Sequence, residues 1–66
     1  MGERLKALRL AKGMTQAELA EASGVSRLTI IKMETGKLKN ARSQTLFAIA
    51  KALGCRIDDL FFDRGA

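Results

Sequence analysis

Glycine falls at positions 13, 24, 36 and 54 of a 66-residue chain that contains no proline. Each of these glycines follows a stretch whose apolar residues recur at helical spacing, and Gly is the usual residue just past a helix end. The spacing predicts five short helices in one domain, residues 1–66, with its core over about 3–62. With a single cysteine and no histidine, one chain can build neither a disulfide framework nor a zinc cluster. Helix packing alone must hold the fold, and a core this small leaves only a few kcal/mol, on the order of 3–5, in hand. Cys55 itself reads as a small core residue, since a lone thiol is among the most buried side chains.

The first segment spans about Glu3 to Lys12, with Leu5 and Leu8 on one face. The second opens on "MTQAEL". Thr15 and Glu18 have the spacing of a capping box, and Met14 and Leu19 that of a hydrophobic staple, so the helix starts at Gln16 and ends near Ser23. The third repeats this grammar: Ser26 is the N-cap, Val25 and Ile30 the staple, and the helix runs from about Arg27 to Thr35. Only Gly24, Val25 and Ser26 lie between the second and third helices. So short a connection forces them to cross steeply, as in a helix-turn-helix. The fourth helix starts at Arg42 or Ser43 and ends at Leu53, with Leu46, Ile49, Ala50 and Leu53 on one face. The fifth is short, Ile57 to Phe61, with Asp58 and Asp59 in the turn where the helix dipole favours them.

The third helix carries an unusual face. At 100° per residue, Ile30, Met33 and Glu34 cluster inward. The opposite side holds Leu28, Lys32 and Thr35, with Ile31 on its flank and Arg27 in the exposed first turn. Three readings fit a face that mixes cations and aliphatics. It is ordinary surface, since much protein surface is apolar; or a protein-binding face; or a surface for the DNA major groove, where Arg27 and Lys32 meet guanine or phosphate and Leu28 a thymine methyl. The net charge is +5. Residues 1–56 hold eleven basic and four acidic side chains, and residues 57–66 hold Asp58, Asp59, Asp63 and Arg64. A basic body with an acidic end, together with the helix-turn-helix geometry, favours DNA.

"TQAELAEASGVSRLTIIKMETGK" resembles the helix-turn-helix of the phage repressor and Cro family, also called the XRE family. The resemblance rests on Gln16, Leu19-Ala20, the Gly24 turn, Ile30 and the Glu34-x-Gly36 ending. It extends over about residues 4–61, where "RLKALRLAKG" and "LFAIAKALGCRIDDLF" fit helices one, four and five. It implies an all-α, compact five-helix, lambda-repressor-like DNA-binding domain. It also implies a sequence-specific regulator that binds double-stranded DNA as a homodimer on a pseudo-palindromic operator. By that resemblance Gln16 binds a backbone phosphate, which suits the N–H groups of a helix N-terminus. Ser26, Arg27, Leu28 and Lys32 meet phosphates or base edges, and Lys37, Lys39, Asn40 and Arg42 follow the DNA backbone. The resemblance further implies an ion pair between Arg9 and Glu34.

"LFF" at 60–62 bears on assembly. Helical geometry cannot bury three consecutive side chains in one core. With Leu60 and one ring inside, the other of Phe61 and Phe62, beside Arg56 and Ile57, becomes the candidate dimer contact. The alternative function is a protein-interaction module, such as an antitoxin that binds a partner protein as well as its own operator. The basic loop Lys37–Arg42 speaks against a purely protein-binding role. An enzyme is not expected, since no His or Tyr is present and no pair of Asp, Glu, Lys or Cys residues has a spacing that demands catalysis. No cofactor is called for. With no long apolar run and no signal peptide, a cytoplasmic protein without a membrane role is expected.

Overall fold

A computed structural model describes residues 2–38 and 40–61. Lys39, proposed above for DNA, and Phe62, proposed for the dimer, lie outside the described residues. The chain is all-α, with α1 Gly2–Ala11, α2 Gln16–Ser23, α3 Arg27–Glu34, α4 Ser43–Leu53 and α5 Ile57–Phe61. These bounds lie within a residue of those expected from the glycine and capping signals. The largest shift is in α1, whose helical turns begin at Gly2 and end at Ala11 rather than at Lys12.

Every helix supplies the core. Leu5 comes from α1, Leu19 from α2, Ile30 and Met33 from α3, Ile49, Ala50 and Leu53 from α4, and Leu60 from α5. Each fully buried aliphatic contributes roughly 1.5–3 kcal/mol of transfer free energy. Met14 and Val25, the outer halves of the two staples, pack against this cluster, as do Leu8 and Leu46. Helix α2 packs on α3 and α4, α1 on α3 and α5, and α4 on α5. Arg4 Nε adds a bond to the Asp59 carbonyl at 3.2 Å, closing α1 onto α5. Cys55 departs from expectation. It is half-buried, packed against the core from its edge rather than enclosed in it. It follows the Gly54 cap of α4, where the chain turns outward before α5.

One charge pair is buried among these helices. Arg9 Nε donates to Glu34 Oε2 at 2.6 Å and Arg9 Nη2 to Glu34 Oε1 at 3.0 Å. The side chains are 8% and 3% exposed. Arg9 Nη1 donates to the Met14 carbonyl at 2.7 Å. One guanidinium thus joins α1, the turn before α2 and the end of α3. The bond to Glu34 raises the Arg9 pKa and burial opposes it, so the guanidinium stays charged. A glutamate in the last helical turn faces the unfavourable end of the dipole, and Arg9 offsets this. Removing one partner of a buried pair costs about 3–5 kcal/mol. That is comparable to the whole stability of a domain this small, at about 0.05–0.15 kcal/mol per residue. Arg9→Ala and Glu34→Ala are each expected to lower the thermal midpoint by tens of degrees or to abolish cooperative unfolding, read by circular dichroism. A midpoint within a degree or two of the unsubstituted protein would show that the pair carries no stability.

Candidate nucleic-acid interface

The N-terminus of α2 is built by its cap. Thr15 Oγ1 accepts from the Glu18 N–H at 3.0 Å, and Glu18 Oε1 accepts from the Thr15 N–H at 2.9 Å. The Thr15 bonds hold the Glu18 carboxyl below its ordinary pKa. Gln16, the first helical residue, is half-buried, and its Nε2 donates to Glu34 Oε1 at 3.2 Å. The start of α2 is thereby fixed beside the last turn of α3.

The turn between the two helices is equally determined. Gly24 takes φ 74°, a left-handed conformation that side-chain-bearing residues resist. Ser23 Oγ donates to the Leu19 carbonyl at 2.7 Å and accepts from the Val25 N–H at 3.2 Å. Ser26 Oγ accepts from the Thr29 N–H at 3.1 Å and donates to Thr29 Oγ1 at 2.8 Å. The Ser26 hydroxyl is thus engaged with both the N–H and the hydroxyl of Thr29.

On α3, Ile30 and Met33 are buried, and Arg27, Leu28, Lys32 and Thr35 are exposed. Leu28 shows 60% of its surface to solvent. Ile31 is half-buried on the border between the faces. The chain then folds back onto the helix end. The Lys32 carbonyl accepts from the N–H groups of Lys37 at 2.9 Å and Leu38 at 3.0 Å. Leu38 packs against the core, while Lys37 stays exposed. Further on, Asn40 and Arg42 line a recess of about 300 Å³ with Thr29 and Thr45. Arg42 sits at the N-cap of α4, with no side-chain capping bond. Thus Asn40 and Arg42 gather beside the first turns of α3, and Gln16 beside its last turn. These candidates flank the exposed face from both ends.

The candidates for assembly lie elsewhere, on α5, which packs on α1 and α4. Arg56 is exposed, Ile57 is half-buried and Phe61 is 44% exposed. The sequence reading missed Phe47. At 65% it is the most exposed of the large apolar side chains among the described residues. It borders a recess of about 470 Å³ between α4 and α5, lined also by Lys51, Cys55, Arg56, Ile57 and Asp58. The signal was present. Phe47 sits 100° round the helix from Leu46, off the inward face of Leu46, Ile49, Ala50 and Leu53.

Two packed helices joined by the short turn at residues 24–26, the second exposed and cation-bearing, form a helix-turn-helix, a motif of DNA-binding proteins. The family model described as Helix-turn-helix matches residues 5–60. An uncharacterized HTH-type transcriptional regulator of Archaeoglobus fulgidus is 43% identical over 61 residues, spanning 92% of this chain and 86% of that protein. Another, from Methanocaldococcus jannaschii, is also 43% identical over 61 residues, spanning 92% of this chain and 91% of its own. The crystal structure of the restriction-modification controller protein C.AhdI from Aeromonas hydrophila superposes with a TM-score of 0.84 at 37% identity, covering 91% of this chain and 89% of that one. The chain belongs to the helix-turn-helix family of the Cro/C1 (XRE) type. It is a DNA-binding transcriptional regulator and not an enzyme. Among the described residues no helix is long and apolar enough to cross a membrane.

The capping box gives this site an acid limit. The Glu18 pKa is lowered in the folded state, so its contribution is complete above the unfolded value of about 4.3 and is lost as pH falls through the folded value. Glu18→Gln keeps the acceptor and removes the charge. Between neutral pH and pH of about 3, the unsubstituted protein is expected to lose more thermal stability than Glu18→Gln. Equal losses in the two proteins would show that the Glu18 charge adds nothing at this cap.

Proposed function

We propose that the protein binds a pseudo-palindromic operator as a homodimer, with α3 of each protomer in the major groove. The observation that carries this reading is the exposed face of α3, where Arg27, Leu28 and Lys32 stand out on a helix whose other side is anchored by Ile30 and Met33. Eight residues make a rod of about 12 Å, a length that the major groove, also about 12 Å wide, accommodates. Arg27 and Lys32 donate to base edges or phosphates, and Leu28 meets a thymine methyl. Gln16 and Lys37 near the last turn of α3, and Asn40 and Arg42 near its first, hold the phosphate backbones, and Lys39 is assigned the same role from its place in the sequence. Ser26 is first of all a cap, its hydroxyl paired with Thr29, and it reaches phosphate from the turn.

One helix reads too few base pairs to select a site from a genome. Two copies related by a two-fold axis solve this when their recognition helices lie roughly 34 Å apart, one turn of DNA. A domain measuring 30 × 24 × 19 Å has the dimensions for that spacing. The α4–α5 face supports the pairing. Phe47 is a projecting ring beside a recess that is lined also by Lys51, Arg56 and Asp58. A knob, a hole and both signs of charge on one patch are what a self-complementary contact requires. Phe61 and Ile57 extend the same surface, and Phe62 follows them in the sequence.

Binding-site selection from random duplexes supplies the operator for the tests. Arg27→Ala and Lys32→Ala are expected to relax base preference, each by about 1–3 kcal/mol at the contacted position. Lys37→Ala and Arg42→Ala are expected to weaken binding to all sequences alike and to reduce the salt slope by about one each. An affinity that hardly changes between low and moderate salt would refute the DNA reading of this surface. For assembly, sedimentation at micromolar concentration is expected to show a dimer, and Phe47→Glu or Phe61→Glu a folded monomer with weaker operator binding. Dimers that survive both substitutions would place the interface elsewhere.

A further inference from the structure

The Arg9–Glu34 pair has a third member. Glu34 Oε1 accepts from Arg9 Nη2 at 3.0 Å and from Gln16 Nε2 at 3.2 Å. A carboxylate only accepts, whereas a glutamine amide offers two N–H donors and one acceptor. The Gln16 amide must therefore turn its nitrogen to Glu34. Its second N–H and its carbonyl are then left in a fixed orientation at the N-terminus of α2. Arg9 fixes the carboxylate in turn through two bonds, while its remaining terminal nitrogen is held by the Met14 carbonyl.

We infer that Glu34 is a positioning residue for the DNA-backbone contact of Gln16. Through the shared oxygen, the buried pair presets the amide so that its second N–H is already aimed at a phosphate when α3 enters the groove. The last turn of α3 thus orders a contact made by the first turn of α2, and the two helices present base-reading and phosphate-binding groups in one geometry. A long flexible side chain loses rotamer freedom on binding, and here that loss is taken at folding. The affinity gained is a preorganisation effect, with no charge added towards DNA. This inference rests on the reading that Gln16 meets the backbone.

The test removes the tether without burying a lone charge. Arg9→Met with Glu34→Met replaces the ion pair by apolar side chains, a change that buried pairs often tolerate. Circular dichroism and thermal melting establish that this variant is folded. Gln16→Ala is then measured against a mixed-sequence DNA duplex in both backgrounds. It is expected to weaken binding about tenfold in the natural background and no more than about twofold in the Met–Met background, as coupled residues do. Equal factors in the two backgrounds would overturn the positioning role and leave the Gln16 contact standing. No effect in the natural background would overturn the contact itself, and the inference with it. Side-chain amide relaxation by NMR supplies a readout on the unsubstituted protein without DNA, which serves if the double variant fails to fold. The Gln16 amide is expected to be ordered and that of Gln44, exposed on α4, to be mobile. Equal mobility of the two would overturn the inference.

Discussion

The buried pair of Arg9 and Glu34 is the interaction on which the rest of this small domain depends. Its two charges lie in the interior and its hydrogen bonds are spread over three parts of the chain. Arg9 belongs to α1, Met14 to the turn before α2, and Glu34 to the end of α3. Hydrophobic contacts between Leu5, Leu19, Ile30 and Met33 draw these elements together, but such contacts are non-directional. They tolerate sliding of one helix over another. A bidentate guanidinium–carboxylate pair does not, because its planar fork fits in one relative orientation. The pair thus converts a compact cluster of helices into a corner of defined angle, and an exposed helix can serve as a reader only if that angle is reproducible.

The same reasoning explains how eight residues of α3 serve two purposes. Ile30, Met33 and Glu34 face inward and hold the helix; Arg27, Leu28, Lys32 and Thr35 face outward. Inward substitutions therefore act on folding first, and outward ones are released from packing. Ile31, half-buried on the border, belongs wholly to neither side. A larger or smaller residue there changes both the seat of the helix and the shape of its exposed face.

Much of this was legible in the sequence because the signals are local. Thr15 and Glu18 announce a capping box by their spacing alone, and both of its bonds form. The glycines at 13, 24, 36 and 54 all take positive φ, and helix bounds follow from them closely. The inward side of α3 followed from periodicity. The Arg9–Glu34 partnership did not, since its residues are 25 apart and only the family resemblance joined them. Cys55 was misjudged because residue type indicates average burial, whereas this thiol sits where the chain leaves α4 at Gly54 and turns to α5. Phe47 escaped notice for a related reason. A wheel shows which residues point away from one face, but not whether a neighbouring helix covers them, and α5 leaves that ring open.

The open ring and the buried pair are two responses to one limit of size. A chain of 66 residues can surround one core, and among the described residues that core is filled by eight side chains drawn from all five helices. Little apolar volume remains for further internal packing, so additional specificity has to come from polar geometry within and from surfaces without. Inside, the Arg9–Glu34–Gln16 cluster supplies orientation that hydrophobic packing cannot. Outside, Phe47 and Phe61 lie on helices other than α3 and so do not compete with the proposed DNA face. Charge divides along the same line. Arg27, Lys32, Lys37 and Arg42 belong to α3 and the segment after it, while Asp58 and Asp59 lie on α5. A polyanion approaching such a molecule is drawn to the α3 side, whereas the α4–α5 patch mixes Lys51 and Arg56 with Asp58. In the proposed dimer the α4–α5 contact lies on helices other than the reading helix, which leaves it available to join a second copy.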